Sequence, residues 1–240
     1  QWNPGETSDT SKSGAVFYLI PPDDRTEKWT PVQLHHEPTT HRMRWFNTPN
    51  NGFDLVVLPL HGRGNRANKG EGVRTLAYHI PNDPKHAWKT TLVDDNMHAS
   101  HNFDVAQWDS DKADEMLLSG VEGVFLLQQS KDQSWQRIQI SNNPTGEVRQ
   151  GHATNGVKFV TAIEPMHGSQ LSIYTKNEGQ TKWNRNIIDD TLDQGHALAT
   201  GDFMATGADQ IIAGWRGTRR NGKVGIKFYY PIDKDRTRWK

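Results

Sequence analysis

Four histidines stand at one position of a recurring sequence pattern, and they are the side chains best suited to proton transfer. His41, His101, His152 and His196 each open a short segment that we predict to be a strand. An imidazole with an ordinary pKa of about 6.5 gains and loses a proton readily near neutral pH. If these strands line one channel, the four histidines are candidate catalytic residues. The alternative is structural: each imidazole would bond a backbone carbonyl of a neighbouring repeat.

A second set of polar residues precedes the glycines that close the following strands. These residues are His61, Glu122, His167 and Arg216, each directly before Gly62, Gly123, Gly168 or Gly217. Adjacent antiparallel strands bring the end of one beside the start of the other, so both sets should meet on one face. We predict that this second set binds substrate together with Arg42 and Glu164, and that Glu164 orients His167.

One turn has the alternating carboxylates that a hard cation prefers. Asp109 and Asp111 offer oxygen ligands of the kind that Ca²⁺ takes, although Lys112 between them competes. They are candidate metal ligands, and the alternative is an ordinary hairpin loop. The sequence requires no cofactor, and a divalent cation, Mg²⁺, Ca²⁺ or Zn²⁺, is the one candidate; the residues do not choose among the three.

The elements that must position these residues belong to a repeat. Trp29, Trp88, Trp135, Trp183 and Trp239 recur at steps of 59, 47, 48 and 56 residues. Each repeat holds four short apolar segments separated by polar or glycine-containing turns. Four antiparallel strands at this period are typical of a β-propeller blade, whereas a β-sandwich has no reason to repeat. The sequence therefore predicts one all-β propeller domain with repeats at roughly 1–61, 62–122, 123–168 and 169–216, and a partial repeat at 217–240.

The two ends of the chain fall in the same phase of the repeat. Gln1-Trp2 align with Gly214-Trp215, so both ends supply outer strands and neither completes the inner part of a last blade. An open ring would leave exposed strand edges. We therefore expect an incomplete ring that is part of a larger propeller of about seven blades. A five-bladed ring with one defective blade is the alternative.

Composition excludes several classes of partner. Lys and Arg total 28 and Asp and Glu total 28, which leaves no basic surface for nucleic acid. The longest apolar run, Leu55–Leu60, is far shorter than a membrane span, and no membrane partner is expected. The chain contains no cysteine, which excludes disulfides and thiolate sites. A secreted or periplasmic location is slightly favoured, and the oligomeric state is left open.

Several stretches resemble one known family. "THRMRW…DLVVLPLHGRG", "MHASHNFDVAQWDSD…MLLSGVEGV", "AIEPMHGSQLSIYTK" and "KWNRNIIDDTLDQGHALATGDF" occur in the order found in FG-GAP/VCBS-like propellers related to the propeller domain of aldos-2-ulose dehydratase. The resemblance covers roughly residues 14–240. The sequence is also similar, more distantly, to the histidine-lined propellers of polysaccharide lyases. The Asp-rich turns of calcium-binding propellers are mostly absent here.

The resemblance implies a carbon–oxygen lyase acting on a sugar. Such an enzyme removes a proton next to a carbonyl and expels water or an alkoxide, with histidines as general acid and base. Which of His41, His101, His152 and His196 would be the base stays open. The alternative is a non-catalytic propeller that binds a glycan or a protein.

Overall fold

The computed structural model describes residues 3–50, 52–130, 134–154, 156–177, 179–220, 222–233 and 238–240, and its regular secondary structure is all β. Its seventeen described strands are β1 Phe17–Ile20, β2 Thr30–Gln33, β3 Thr40–Asn47, β4 Phe53–Pro59, β5 Thr75–His79, β6 Lys89–Asp94, β7 Ser100–Ala106, β8 Glu115–Gly120, β9 Gly123–Gln129, β10 Trp135–Ser141, β11 Glu147–His152, β12 Lys158–Glu164, β13 Gln170–Thr175, β14 Asn184–Asp189, β15 Gly195–Gly201, β16 Gln210–Trp215 and β17 Gly225–Tyr229. None of the described segments forms a helix of the length and apolarity that crossing a bilayer requires.

Three of the five sheets are complete four-stranded units. Their orders are β3-β4-β5-β6, β7-β8-β9-β10 and β11-β12-β13-β14, and β15-β16-β17 and β1-β2 form the smaller sheets. Every strand pair in the described residues is antiparallel, as in β12 with β13, where Thr161 faces Ile173. Short strands joined in sequence order produce a meander, because each turn reverses the chain next to the strand just formed. The predicted four-stranded antiparallel repeat is confirmed.

The chain divides into two compact units. The first comprises Gln1–Ser100 with Asp111–Ala113, and the second comprises His101–Ser110 with Asp114–Lys240. In the first unit, Val16 and Leu34 next to the β1-β2 sheet pack with Leu55, Val57 and Tyr78 of the β3-β6 sheet.

The second unit contains three sheets stacked through apolar faces. One core joins the β7-β10 sheet to the β11-β14 sheet, with Leu117 and Leu126 packed among Val148, Val160 and Tyr174. Another core joins the β11-β14 sheet to the β15-β17 sheet. Alternating side chains of each strand supply these faces, because successive residues of a strand point to opposite sides of the sheet.

The first strands of the three sheets in the second unit are neighbours. Asn102 of β7 donates a hydrogen bond to Glu147 of β11, and His196 Nδ1 at the start of β15 lies 3.6 Å from Glu147 Oε1. The starts of β7, β11 and β15 therefore come together, and any polar residues at these starts are concentrated in one place.

One strand of the third repeat differs from its prediction. His152 was expected to open the first strand, but β11 begins at Glu147 and ends at His152. The strand therefore includes Val148, whose apolar side chain is fully buried, and Gly151. Histidine as a landmark was misleading here, because the register follows the buried face and not the residue type.

Candidate functional site

Three imidazoles meet within the second unit. The nitrogen atoms that His101, His167 and His196 offer as ligands all lie within 4.8 Å of one another. The Nε2 atoms of His101 and His167 are 2.8 Å apart. The His167 ring stands at 90° to that of His101 and at 81° to that of His196, with centroids 4.4 and 4.6 Å apart. These three residues are called the histidine cluster below.

Strand geometry explains how residues so far apart in sequence converge. His101 and His196 are each the second residue of a first strand, β7 and β15. His167 lies in the turn between β12 and β13, beside the start of β11. The two polar sets therefore meet at these three histidines, as predicted. The turn between β12 and β13 lies beside the start of β11, because β11 and β12 run antiparallel.

A buried carboxylate lies behind the cluster. Glu147 Oε1 is 3.4 Å from His101 Nδ1 and 3.6 Å from His196 Nδ1, and Glu147 is only 2% exposed. Burial alone would raise the pKa of Glu147, but hydrogen bonds from His101 and Asn102 and the charge of Arg149 outweigh it and lower that pKa. Glu147 is therefore ionised near neutral pH, and one negative charge faces two imidazoles.

The tautomer of His101 follows from its partners. Its Nδ1 lies 2.9 Å from the Gly146 carbonyl oxygen, which can only accept a hydrogen bond. Nδ1 therefore carries the proton, and the Nε2 lone pair of the neutral ring points to the centre of the cluster. A ring nitrogen fixed in this way is ready to accept a proton or to bind a metal.

His167 is held in its neutral form. Burial is the largest cause of a lowered pKa at His167, which falls to about 4. The neighbouring charges of His101, His196 and Arg216 act in the same direction, and the Glu147 carboxylate opposes them only partly. Several groups that can be cationic crowd one ring, so its protonation is costly. Arg216 is exposed and follows β16 directly. It contributes positive potential at the cluster.

His152 is not part of the cluster. It ends β11, where its Nδ1 lies 3.1 Å from Asp209 Oδ2 and its side chain is 48% exposed. The residue of the third repeat that matches His41, His101 and His196 is Glu147. The three histidines are each the second residue of their strand, after a threonine, a serine or a glycine, and Glu147 opens β11 directly after Gly146. Aligning on buried strand faces instead of histidines would have identified Glu147 from the sequence.

Three predicted residues belong to the first unit. His41 and Arg42 are half-buried in β3. His61 follows β4, its backbone exchanges hydrogen bonds with the Thr39 hydroxyl, and burial lowers its pKa. Glu122, of the second unit, lies in the turn between β8 and β9. The roles of these four residues stay predictions.

Glu164 faces a different set of partners from the one expected. It is buried at the end of β12 and accepts hydrogen bonds from Ser172, Tyr174 and Arg185. These contacts join β12, β13 and β14 in one sheet. The carboxylate beside the histidine cluster is Glu147, not Glu164.

The proposed calcium turn is exposed. Asp109 and Asp111 both lie in the turn between β7 and β8, and Asp111 accepts a hydrogen bond from the Ala113 amide at 2.8 Å. Their role as metal ligands stays a prediction.

Comparisons with known proteins point to one family. A family model described as the β-propeller domain of aldos-2-ulose dehydratase matches residues 13–177. The chain is 22% identical to aldos-2-ulose dehydratase of Phanerodontia chrysosporium over 92% of its own length, and it spans 28% of that relative. A solved structure on the recognition of non-reducing terminal N-acetylglucosamine by an Agrocybe aegerita lectin is 11% identical, with a TM-score of 0.42 over 91% of this chain and 75% of the other.

The match to the family model covers more than half of the chain and includes β1 to β13, with His101, Glu147 and His167. The narrower FG-GAP/VCBS assignment, the number of blades and the incomplete ring stay predictions. The repeated antiparallel sheets agree with the architecture in the family's description. The chain belongs to the aldos-2-ulose dehydratase β-propeller domain family.

Proposed function

We propose that this domain dehydrates a keto sugar at the histidine cluster, with a divalent transition-metal ion held by His101, His167 and His196. The observation that carries the proposal is the convergence of three imidazole nitrogens within 4.8 Å, with one buried carboxylate behind two of the rings. The family's relationship to a carbohydrate dehydratase supports a sugar as the substrate.

The donor set favours zinc over the other two expected cations. Imidazole nitrogen suits Zn²⁺, whereas Mg²⁺ and Ca²⁺ prefer oxygen ligands. Three protein ligands are the usual number for a catalytic zinc, since a fourth position is left for substrate. Glu147 is placed to orient the ligands, because a histidine that binds a metal commonly donates its second N–H to a carboxylate or a carbonyl. His101 has both kinds of acceptor next to its Nδ1.

The chain's own residues would prepare the site for this ion. Glu147 and the Gly146 carbonyl hold the proton of His101 on Nδ1, and the low pKa of His167 keeps that ring unprotonated above pH 5. A bound zinc would polarise the sugar's carbonyl and so acidify the neighbouring C–H. Loss of that proton forms the carbon–carbon double bond as the β-hydroxyl leaves with a proton as water. Arg216 adds positive potential for the charge that develops on the carbonyl oxygen.

The test combines metal content with a dehydration assay. Purified protein, reconstituted with Zn²⁺, is incubated with 1,5-anhydrofructose or glucosone, and the ultraviolet absorbance of the enone product is followed. We expect product formation that stops after chelation and returns with zinc. His101→Ala and His196→Ala should each lower zinc affinity and rate by at least about 100-fold. His152→Ala is the matched control and should change neither.

Three results would contradict the proposal. If the zinc-loaded protein made no enone from either keto sugar while binding glycans, the non-catalytic alternative would replace it. If the protein bound no zinc but still formed product, the histidines would act as acid and base without a metal. A chelation-sensitive activity that survives in both cluster variants would move the site elsewhere.

A further inference from the structure

A cleft in the second unit, apart from the histidine cluster, has the features of a ligand site. It has a volume of about 540 Å³, and its lining includes Trp108, Trp183, Lys158, Lys176, Gln128 and Gln180. We call it the tryptophan pocket. None of its lining residues belongs to the histidine cluster or to the predicted catalytic set.

The tryptophan pocket lies at the opposite ends of the strands that carry the cluster. His101 stands at the start of β7 and Trp108 lies just past its end, while Lys158 opens β12 and His167 lies beyond its end. Seven residues of extended strand span roughly 20 Å. A ligand in the pocket therefore contacts a different edge of the same sheets.

The two indoles are fixed in place but keep accessible surface. Trp108 and Trp183 are half-buried against the apolar core between the β7-β10 and β11-β14 sheets, with ring centroids 5.7 Å apart and planes at 55°. The Trp108 carbonyl also accepts a hydrogen bond of 2.7 Å from Lys158 Nζ. Rigid aromatic surface of this kind binds the C–H faces of a pyranose ring at little conformational cost.

The corresponding tryptophan of the first unit has different partners. Trp88 is the repeat counterpart of Trp183, but Tyr18 stacks on it at 5.6 Å and 26°. Its indole N–H donates to the Pro84 carbonyl at 3.0 Å, as the N–H of Trp29 does to the Arg25 carbonyl at 3.2 Å. Among the residues that the structure describes, no carbonyl takes the Trp183 N–H in this way. In the second unit, this repeat position instead borders the tryptophan pocket.

Two ammonium groups give the pocket its charge. Lys176 Nζ lies 5.9 Å from the Trp183 ring centroid, and Lys158 borders Trp108. The lining residues that the structure describes include no carboxylate. Gln128 and Gln180 can donate to or accept from hydroxyl groups. The combination of flat apolar faces, amides and two cations is complementary to a sugar ring that carries an anion.

We propose that the tryptophan pocket binds a carboxylated saccharide, a hexuronate unit of a glycan, as a site separate from the histidine cluster. The sugar ring packs against Trp183 and Trp108, and its carboxylate lies between Lys176 and Lys158. The pocket would then hold a polymeric or acidic glycan on the edge of the domain opposite to the proposed chemistry.

Binding of a tetramer of galacturonate, measured by isothermal titration calorimetry, tests this proposal, with neutral cellotetraose as the comparison ligand. We expect the galacturonate tetramer to bind at least about tenfold more tightly than cellotetraose and to weaken with added salt. Trp183→Ala and Lys176→Glu should each reduce its affinity by about tenfold or more. Lys176→Glu changes a half-exposed side chain and leaves the core intact, so it keeps the test valid if Trp183→Ala unfolds.

Lys85→Glu is the matched control, because Lys85 is exposed in the corresponding turn of the first unit. It should leave affinity unchanged, as should His196→Ala, which disables the histidine cluster. Equal binding of both tetramers, or loss of binding in His196→Ala with retention in Lys176→Glu, would overturn the proposal. If the protein bound galacturonate but had no dehydratase activity, the proposal for the tryptophan pocket would stand and the proposed dehydration at the histidine cluster would be refuted.

Discussion

At the scale of single residues, Glu147 has the most consequence for the proposed chemistry. Its carboxylate is buried between His101 and His196 and remains ionised because donated hydrogen bonds outweigh the cost of burial. A buried charge is tolerated when partners satisfy it, and it then fixes those partners in turn. Glu147 is thus a positioning residue, acting through the imidazoles and not on substrate.

Replacing Glu147 with Gln should weaken zinc binding by about 10- to 100-fold, because the amide keeps the shape but cannot orient two imidazole N–H groups by charge. Competition with a chromophoric zinc chelator measures this affinity. Glu147→Asp should recover part of it. An unchanged affinity in Glu147→Gln, with folding verified by circular dichroism, would show that the carboxylate has no positioning role.

At the scale of elements, tight turns and cross-sheet contacts hold the strand ends in place. The turn between β8 and β9 carries Glu122 and depends on Gly123, whose φ is 117°. A Cβ at this position would lie 2.0 Å from the Ser141 carbonyl oxygen. Only glycine meets both the backbone conformation and the close approach of β10.

Gly123→Ala should lower the free energy of unfolding by about 3 kcal/mol, since it combines left-handed strain with a backbone clash. Urea denaturation followed by tryptophan fluorescence measures the loss. Gly207→Ala is the control, because Gly207 has a φ of 75° and open space at its Cβ position. It should cost about 1 kcal/mol. Equal losses in the two variants would show that strain alone, without the clash, decides the result.

A second element-scale contact joins the end of β14 to β17. Burial alone would raise the pKa of Asp189, but hydrogen bonds from Lys227, Tyr229 and Thr191 bring it down to about 2. The donors Lys227 Nζ and Tyr229 Oη lie 2.7 and 2.6 Å from Asp189 Oδ2. The folded state therefore binds the Asp189 proton less tightly than the unfolded chain does.

This difference predicts that the free energy of unfolding falls as the solution becomes acidic. The contribution of Asp189 is complete above its ordinary pKa of 3.8 and is lost as pH falls through about 2. Asp189→Asn should cost about 2 kcal/mol at pH 7 and should flatten the dependence of unfolding free energy between pH 4 and 2. Exposed Asp190→Asn serves as the control. A pH dependence that persists unchanged in Asp189→Asn would assign it to another carboxylate.

At the scale of the whole molecule, the histidine cluster takes its residues from all three sheets of the second unit. His101 belongs to the β7-β10 sheet, His167 and Glu147 to the β11-β14 sheet, and His196 to the β15-β17 sheet. An ion held by all three histidines would add a link between sheets that already meet through apolar cores and polar contacts. Metal binding and folding of this unit should therefore be coupled.

Zinc at 100 times its dissociation constant should stabilise the folded protein by about 2.7 kcal/mol and raise its Tm by several degrees. Differential scanning calorimetry with and without ZnCl₂ measures this shift. His196→Ala should abolish most of it, whereas His152→Ala should retain it. If Mg²⁺ produced the same shift as Zn²⁺, the nitrogen cluster would not be the origin of the stabilisation.

The sequence by itself determined the all-β class and the four-stranded repeat, because alternating apolar residues, spaced tryptophans and turn glycines are local signals. It also predicted that the two polar sets would meet on one face, since antiparallel pairing brings a turn level with a strand start, and His101, His167 and His196 of these sets do meet. It misplaced the first strand of the third repeat, where His152 drew attention away from Glu147. Residue type is visible in sequence, but strand register is set by which face is buried.

The tertiary structure alone decided what surrounds each ionisable group. It placed Glu147 behind two imidazoles and directed Glu164 to Arg185 and Tyr174. It also formed a pocket beside Trp183, whereas the counterpart Trp88 stacks on Tyr18. These outcomes depend on contacts within and between sheets, which bring together residues that are distant along the chain. Burial, charge and hydrogen bonding act through space, and a repeat pattern along the chain therefore fixes which residues are candidates but not which of them meet.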